Sequence, residues 1–220
     1  MTDHLQTTLD PSDLDDIIDP ARCALLVIDM QNDYLHDDGA FARMGADVSR
    51  LQPVVPHVNR AIDLARAADV PRIFVRQTHG KWFNTRGWIA RGRAATKLPV
   101  DRIPLVEHGS WGAEFYGVEP GDDELVITKH RYSAFIYTEL EATLHAIGRD
   151  TAVLTGATTD ICVRYTAVDA LMRGFHPILV SEATTAGSEE LQAQVEKEFR
   201  EHIGNVVGID DVAKAWKAGA

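Results

Sequence analysis

Six short apolar runs alternate with segments of helical period, and that alternation restricts the fold more than any other feature of the chain. The first run, CALLVID (Cys23 to Asp29), is continuous and closes on an acid. Runs of this kind fit strands buried on both faces of a parallel sheet. RIFVRQT (Arg72 to Thr78), ELVITKH (Glu124 to His130), TAVLTG (Thr151 to Gly156), HPILVSEA (His176 to Ala183) and NVVGI (Asn205 to Ile209) repeat the pattern. Between them, Val58, Ile62 and Ala65 lie at helical spacing within 54–70, and Leu140, Leu144 and Ile147 point inward from a helix over 138–147. DICVRYTAVDALMRG (Asp160 to Gly174) reads as a helix stopped by glycine. Further helices are expected near Glu189 to His202 and at the C-terminus. The class is therefore α/β, with βαβ units, right-handed crossovers and a mainly parallel sheet.

The stretch from Thr78 to about Asp123 breaks the alternation. It carries Trp82, Trp88 and Trp111 among Gly and Arg without a sustained period, which marks a functional or mobile segment. Residues 1 to about 20 read as an acidic arm, and 21–220 as a single domain. The 220 residues hold 22 Lys and Arg against 33 Asp and Glu, a net charge of -11 that disfavours nucleic acid and anionic membranes as partners. No apolar run of transmembrane length and no signal-like N-terminus occurs. The two cysteines make no disulfide framework. The expectation is a cytoplasmic protein acting on a small molecule.

Ligands of parallel sheets bind beyond the carboxyl ends of the strands. The residues at those ends are Asp29, Thr78, Lys129, the Gly156 to Cys162 turn, and Glu182. In isolation each of three has an ordinary reading: Asp29 as a turn or capping residue, Lys129 as a lysine reaching solvent, Cys162 as a small core residue. Together they supply a chemistry. Asp29 accepts the thiol proton, Lys129 provides a fixed positive charge, and Cys162 attacks a carbonyl carbon. Asp160 or a neighbouring Thr can cap the helix start, whose N–H groups and dipole favour a thiolate and receive the oxyanion.

LLVIDMQNDY, VITKHRYSAF and LTGATTDICVRYTAVDA, in this order and spacing, resemble the isochorismatase-like cysteine hydrolases. The resemblance runs from Ala24 to about Gly187. It implies a three-layer α-β-α fold with a six-stranded sheet ordered 3-2-1-4-5-6, and a catalytic triad of Asp29, Lys129 and Cys162. It also implies a cis peptide bond between Ala157 and Thr158, with the N–H groups of Thr158 and Cys162 forming the oxyanion hole, and an assembly of more than one copy. The vinyl-ether hydrolases of this group lack the cysteine, so Cys162 argues for C–N cleavage. Nicotinamidases of the group carry an Asp-x-His metal pair, whereas RQTHG has no acid two positions before His79, so no metal and no cofactor is expected.

KHRYSAFIYTELEATL is similar to the ureidoacrylate amidohydrolase branch, which suggests a small amide, ureido or N-carbamoyl substrate. Gln31, Tyr34, Trp82, Trp88, Arg91, Tyr132 and Phe135 are the candidate substrate-binding residues. The Trp and Arg of the 79–93 segment fit either a pocket wall or a subunit interface. Other readings are a nicotinamidase-like amidase without the metal, a thiol hydrolase with His130 or His79 as base, and a non-catalytic binding protein of this fold. His130 adjoins Lys129 in a strand and should face away from it.

Overall fold

The computed structural model describes residues 14–96 and 103–217. Six strands form one parallel sheet: β1 (Cys23–Ile28), β2 (Arg72–Gln77), β3 (Leu125–Lys129), β4 (Thr151–Ala157), β5 (His176–Thr185) and β6 (Asn205–Val207). Their spatial order is β3-β2-β1-β4-β5-β6. The two central strands, β1 and β4, are buried along their whole length, which is why their sequences show no alternation.

The alternate residues of the sheet feed two cores. Leu25, Val27, Val153 and Ile178 pack with the Val54–Ala67 helix and with Val212 and Trp216 of the Ile209–Lys217 helix. Leu26, Ile28, Ile73 and Leu154 pack on the opposite face with the Leu140–Ala146, Arg164–Met172 and Glu189–His202 helices. The result is three layers, α-β-α. The chain leaves β1 toward β2 and β3, then returns to β4 beside β1. The order reverses between β1 and β4, and the crevice lies beyond their carboxyl ends.

The β1–β4 register pairs Ile28 with Gly156. Gly156 has φ +110°, and a Cβ there would lie 2.0 Å from the Ile28 carbonyl oxygen. Only glycine lets β4 approach β1 this closely at the crevice.

Three expectations change. The irregular 78–123 stretch contains a helix, Arg86–Thr96. Its apolar residues are few and it includes two glycines, so no apolar stripe announced it. The turn after β4 begins as a π-helical turn, Thr159–Val163, and becomes α-helical at Arg164. No side chain caps it: Thr158 is the N-cap residue and its hydroxyl makes no capping bond. The acidic arm ends earlier than expected. Residues 1–13 lie outside the described residues, but Ile17 and Ile18 are buried in the first core, and the Trp216 indole donates to the Ile18 carbonyl. Among the described residues no helix is long and apolar enough to cross a membrane.

Candidate active site

Asp29, Lys129 and Cys162 leave three different strands and meet at the β1/β4 crevice. Asp29 directly follows β1 and adopts φ +51°, rare for a non-glycine residue. Its N–H is held by the Val75 carbonyl of β2 at 2.8 Å. The unusual backbone turns the carboxylate out of the strand's alternation and into the crevice, a form of strain that recurs at functional sites. Lys129, the last residue of β3, is fully buried, and its Nζ lies 2.8 Å from Asp29 Oδ2. Asp29 is fully buried too, and its carboxylate is hydrogen-bonded by Lys129 and Cys162.

Gln77, which sequence reasoning did not single out, joins the three. Its Oε1 accepts from Lys129 Nζ at 3.1 Å, from Cys162 Sγ at 3.4 Å and from the Tyr34 hydroxyl at 3.3 Å. Gln31 fixes Gln77 in turn: its Nε2 donates to the Gln77 carbonyl and its Oε1 accepts the Gln77 N–H. The available signal is the place of Gln77 as the last residue of β2, one position before the Thr78 that the sequence reading puts at the strand end. Thr78 is buried one residue beyond, with its hydroxyl 3.2 Å from His130 Nδ1.

A lysine ammonium can only donate, so Gln77 must turn its oxygen toward Lys129. Its Nε2 then faces His79 Nε2 at 3.1 Å and donates to it. His79 is therefore the Nδ1–H tautomer. Burial is the main cause that lowers its pKa, to about 4, with the Lys129, His130 and Arg131 charges acting in the same direction. This has a stability consequence. Above pH 6.5 the ring is neutral in both folded and unfolded chains. As pH falls toward 4 the unfolded chain binds a proton that the folded chain refuses. Stability should fall by about 2 kcal/mol between pH 7 and pH 5 from this group alone. Urea midpoints of the wild type and His79→Gln at the two pH values check it: the variant should lack that share of the loss.

Burial and the Asp29 charge push the Cys162 thiol far above its ordinary range, and Lys129 opposes them only in part. The helix-start thiolate expected from sequence is thus corrected to a resting thiol that needs a base. Burial also raises the Asp29 carboxyl against the pull of Lys129. Burial alone would lower Lys129, but the charges of Asp29 and Cys162 and the hydrogen bonds to both together outweigh it and hold the ammonium protonated. The other cysteine, Cys23, starts β1 at the opposite edge of the sheet, where burial pushes its thiol up to about 12.

The crevice opens into a pocket of about 350 Å³. Cys162, Thr158, Gln77 and His79 lie at its polar end, and the Ala157–Thr158 peptide bond beside them is cis. Tyr34, Trp88, Arg91 and Tyr132 line it as well. The other three candidates do not. Gln31 is a buried brace beneath Gln77, with a second bond from its Nε2 to the Ala113 carbonyl. Trp82 is 81% exposed and carries Lys81 over its ring instead. Phe135 is 4% exposed and packs against Phe175 in the second core. His130 turns away from Lys129 and stacks on Phe83. Glu182 lies within β5, where its carboxylate accepts the Ile209 N–H. Among the described residues no three His, Cys, Asp or Glu side chains gather to hold a metal ion.

A family model for the isochorismatase domain matches residues 23–211. The chain belongs to the isochorismatase family. The ureidoacrylate amidohydrolase RutB of Methylobacterium radiotolerans is 35% identical over 186 residues, covering 79% of this chain and 71% of its own. The N-carbamoylsarcosine amidase of an Arthrobacter species is 32% identical over 161 residues, covering 73% and 58%. A cysteine hydrolase from Pseudomonas syringae pv. phaseolicola superposes with a TM-score of 0.80 at 22% identity, over 92% of this chain and 95% of the other, which establishes the shared fold. The family and these relatives make this isochorismatase-family chain a hydrolase of C–N bonds other than peptide bonds.

Proposed function

We propose that this protein is a cysteine amidohydrolase that cleaves a small amide, ureido or N-carbamoyl compound through an acyl thioester on Cys162. The observation that carries the reading is the buried constellation of Asp29, Lys129 and Cys162 around Gln77 Oε1 at the floor of the pocket.

The geometry supports the following sequence. Asp29, already hydrogen-bonded to the Cys162 side chain, takes the thiol proton as Sγ attacks the carbonyl carbon. Lys129 offsets the negative charge shared between Asp29 and Cys162 throughout. The N–H groups of Thr158 and Cys162 receive the oxyanion. The C–N bond breaks, and the departing nitrogen leaves with the proton held by Asp29. Water then attacks the thioester carbon. Asp29 takes a proton from that water and returns it to Sγ as the acid product departs.

Intact-mass spectrometry after acid quenching during turnover tests the reading. An adduct on the peptide containing Cys162, with the mass of the acyl or carbamoyl half, is the expected result. Turnover without any adduct at Cys162, under conditions where the thioester should build up, would sink the covalent mechanism.

A further inference from the structure

The pocket carries more apolar surface than the chemistry at its floor requires. Away from Cys162 its wall is built from Phe41, Met44, Ile103, Leu105 and Ile161. One buried carboxylate holds most of this wall in place. Asp33 Oδ1 accepts the N–H of Ala40, which opens the short helix bearing Phe41. Asp33 Oδ2 accepts the N–H of Val106, at the end of the segment bearing Ile103 and Leu105. Gly112 leaves room for the Asp33 carboxylate, since a Cβ there would sit 2.2 Å from it. Two separate chain segments are thus pinned to one side chain, and their apolar residues face the same cavity.

The charge in the pocket is also selective. Among the described residues Arg91 is the single charged side chain of its lining and no Asp or Glu lines it, in a chain of net charge -11. Trp88 lies one turn before Arg91 on the same helix. Its indole nitrogen is 3.4 Å from His79 Nδ1. That nitrogen already carries the ring's proton, because Gln77 donates to the other one. The indole N–H therefore has no acceptor in His79 and is available, like the Arg91 guanidinium, to an anion in the pocket.

Resting on the amidohydrolase reading, we propose that the substrate is an N-carbamoyl acid with a bulky apolar side chain. Its ureido carbon sits over Cys162, its carboxylate lies on Arg91 and the Trp88 indole N–H, and its side chain packs on the wall of Phe41, Met44, Ile103 and Leu105. The pocket volume is at the low end for small-molecule sites, about 300–1,000 Å³, so one such group fills it. A small planar ureido acid would leave the wall uncovered. The covalent sequence is the one given above: Sγ bonds to the ureido carbon, a C–N bond breaks, the freed nitrogen takes the thiol proton through Asp29, and water hydrolyses the thiocarbamate.

Steady-state kinetics of the purified protein decide the matter, with N-carbamoylphenylalanine, N-carbamoylleucine, N-carbamoylglycine, ureidoacrylate and the neutral phenethylurea as substrates. The bulky acids should exceed N-carbamoylglycine in kcat/KM by roughly tenfold to a hundredfold. Leu105→Ala should narrow that gap. Arg91→Gln should raise KM for N-carbamoylphenylalanine roughly tenfold with kcat little changed, a much larger rise than for phenethylurea. If N-carbamoylglycine or ureidoacrylate is hydrolysed as well as the bulky acids, the inference is overturned while the amidohydrolase reading stands. If the wild type hydrolyses none of these compounds and forms no adduct at Cys162, the reading itself falls and the inference with it.

Discussion

Cys162→Ala should lose at least about 10⁴-fold in kcat/KM while its thermal midpoint moves by only a few degrees. The two effects separate because the thiol's role is chemical rather than structural. Its hydrogen bond to Gln77 Oε1 is long at 3.4 Å, and that oxygen keeps Lys129 and Tyr34 as donors when the sulfur is gone. Removing a single sulfur atom leaves a cavity that costs about 1 kcal/mol. Cys162→Ser is the sharper variant. It preserves shape and hydrogen bonding but replaces the nucleophile with a hydroxyl that Asp29 deprotonates far less readily, so its rate should lie close to that of the alanine variant. Initial rates at saturating and limiting substrate, with calorimetric melting of the same samples, give both readouts. Residual activity within tenfold of wild type would assign the nucleophile elsewhere.

Much of this arrangement was legible in the sequence because a parallel sheet converts strand ends into neighbours. The apolar runs of β1 and β4 located the central strands, and the residues closing β1 and β3 were Asp29 and Lys129. What could not be read was anything set by contacts across strands. Gln77 joins Lys129 and Cys162 because Gln31 locks its backbone and because Lys129 forces its amide to face one way. Neither constraint leaves a mark on the local sequence. Trp82 and Trp88 are six residues apart in the same Arg-rich stretch, yet one is exposed to solvent and the other lines the pocket. Phe135 and Tyr132 part in the same way, one to the core and one to the pocket. Orientation on an unrecognised helix or turn decided these cases. Asp33 was hidden for a different reason: the two segments it ties together, near Ala40 and Val106, lie far apart in sequence.

The Asp29–Lys129 pair yields the other large effect, and there stability and catalysis should part company. Both groups are fully buried, 2.8 Å apart. Lys129→Met keeps the volume but leaves Asp29 as an uncompensated carboxylate in the interior, which should cost about 3–5 kcal/mol and abolish turnover. The cost should depend on pH in a defined direction. Burial already raises the Asp29 pKa in the wild type, and loss of the lysine raises it further. The folded variant then holds a proton that the unfolded chain releases above about pH 4. Its stability is retained at low pH and declines as pH rises through the raised pKa, so Lys129→Met should gain relative to wild type when the pH is lowered from 8 to 5. The double variant Asp29→Asn/Lys129→Met removes the stranded charge. It should recover at least about 2 kcal/mol over Lys129→Met alone, as groups in direct contact do when they are removed together, and still be inactive, because it has neither the base nor the fixed positive charge. Urea denaturation of the wild type, both single variants and the double variant at pH 8 and pH 5 closes the cycle. A double variant no more stable than Lys129→Met would mean that the two groups are not energetically coupled. An active double variant would mean that the proton on Cys162 goes to some other base.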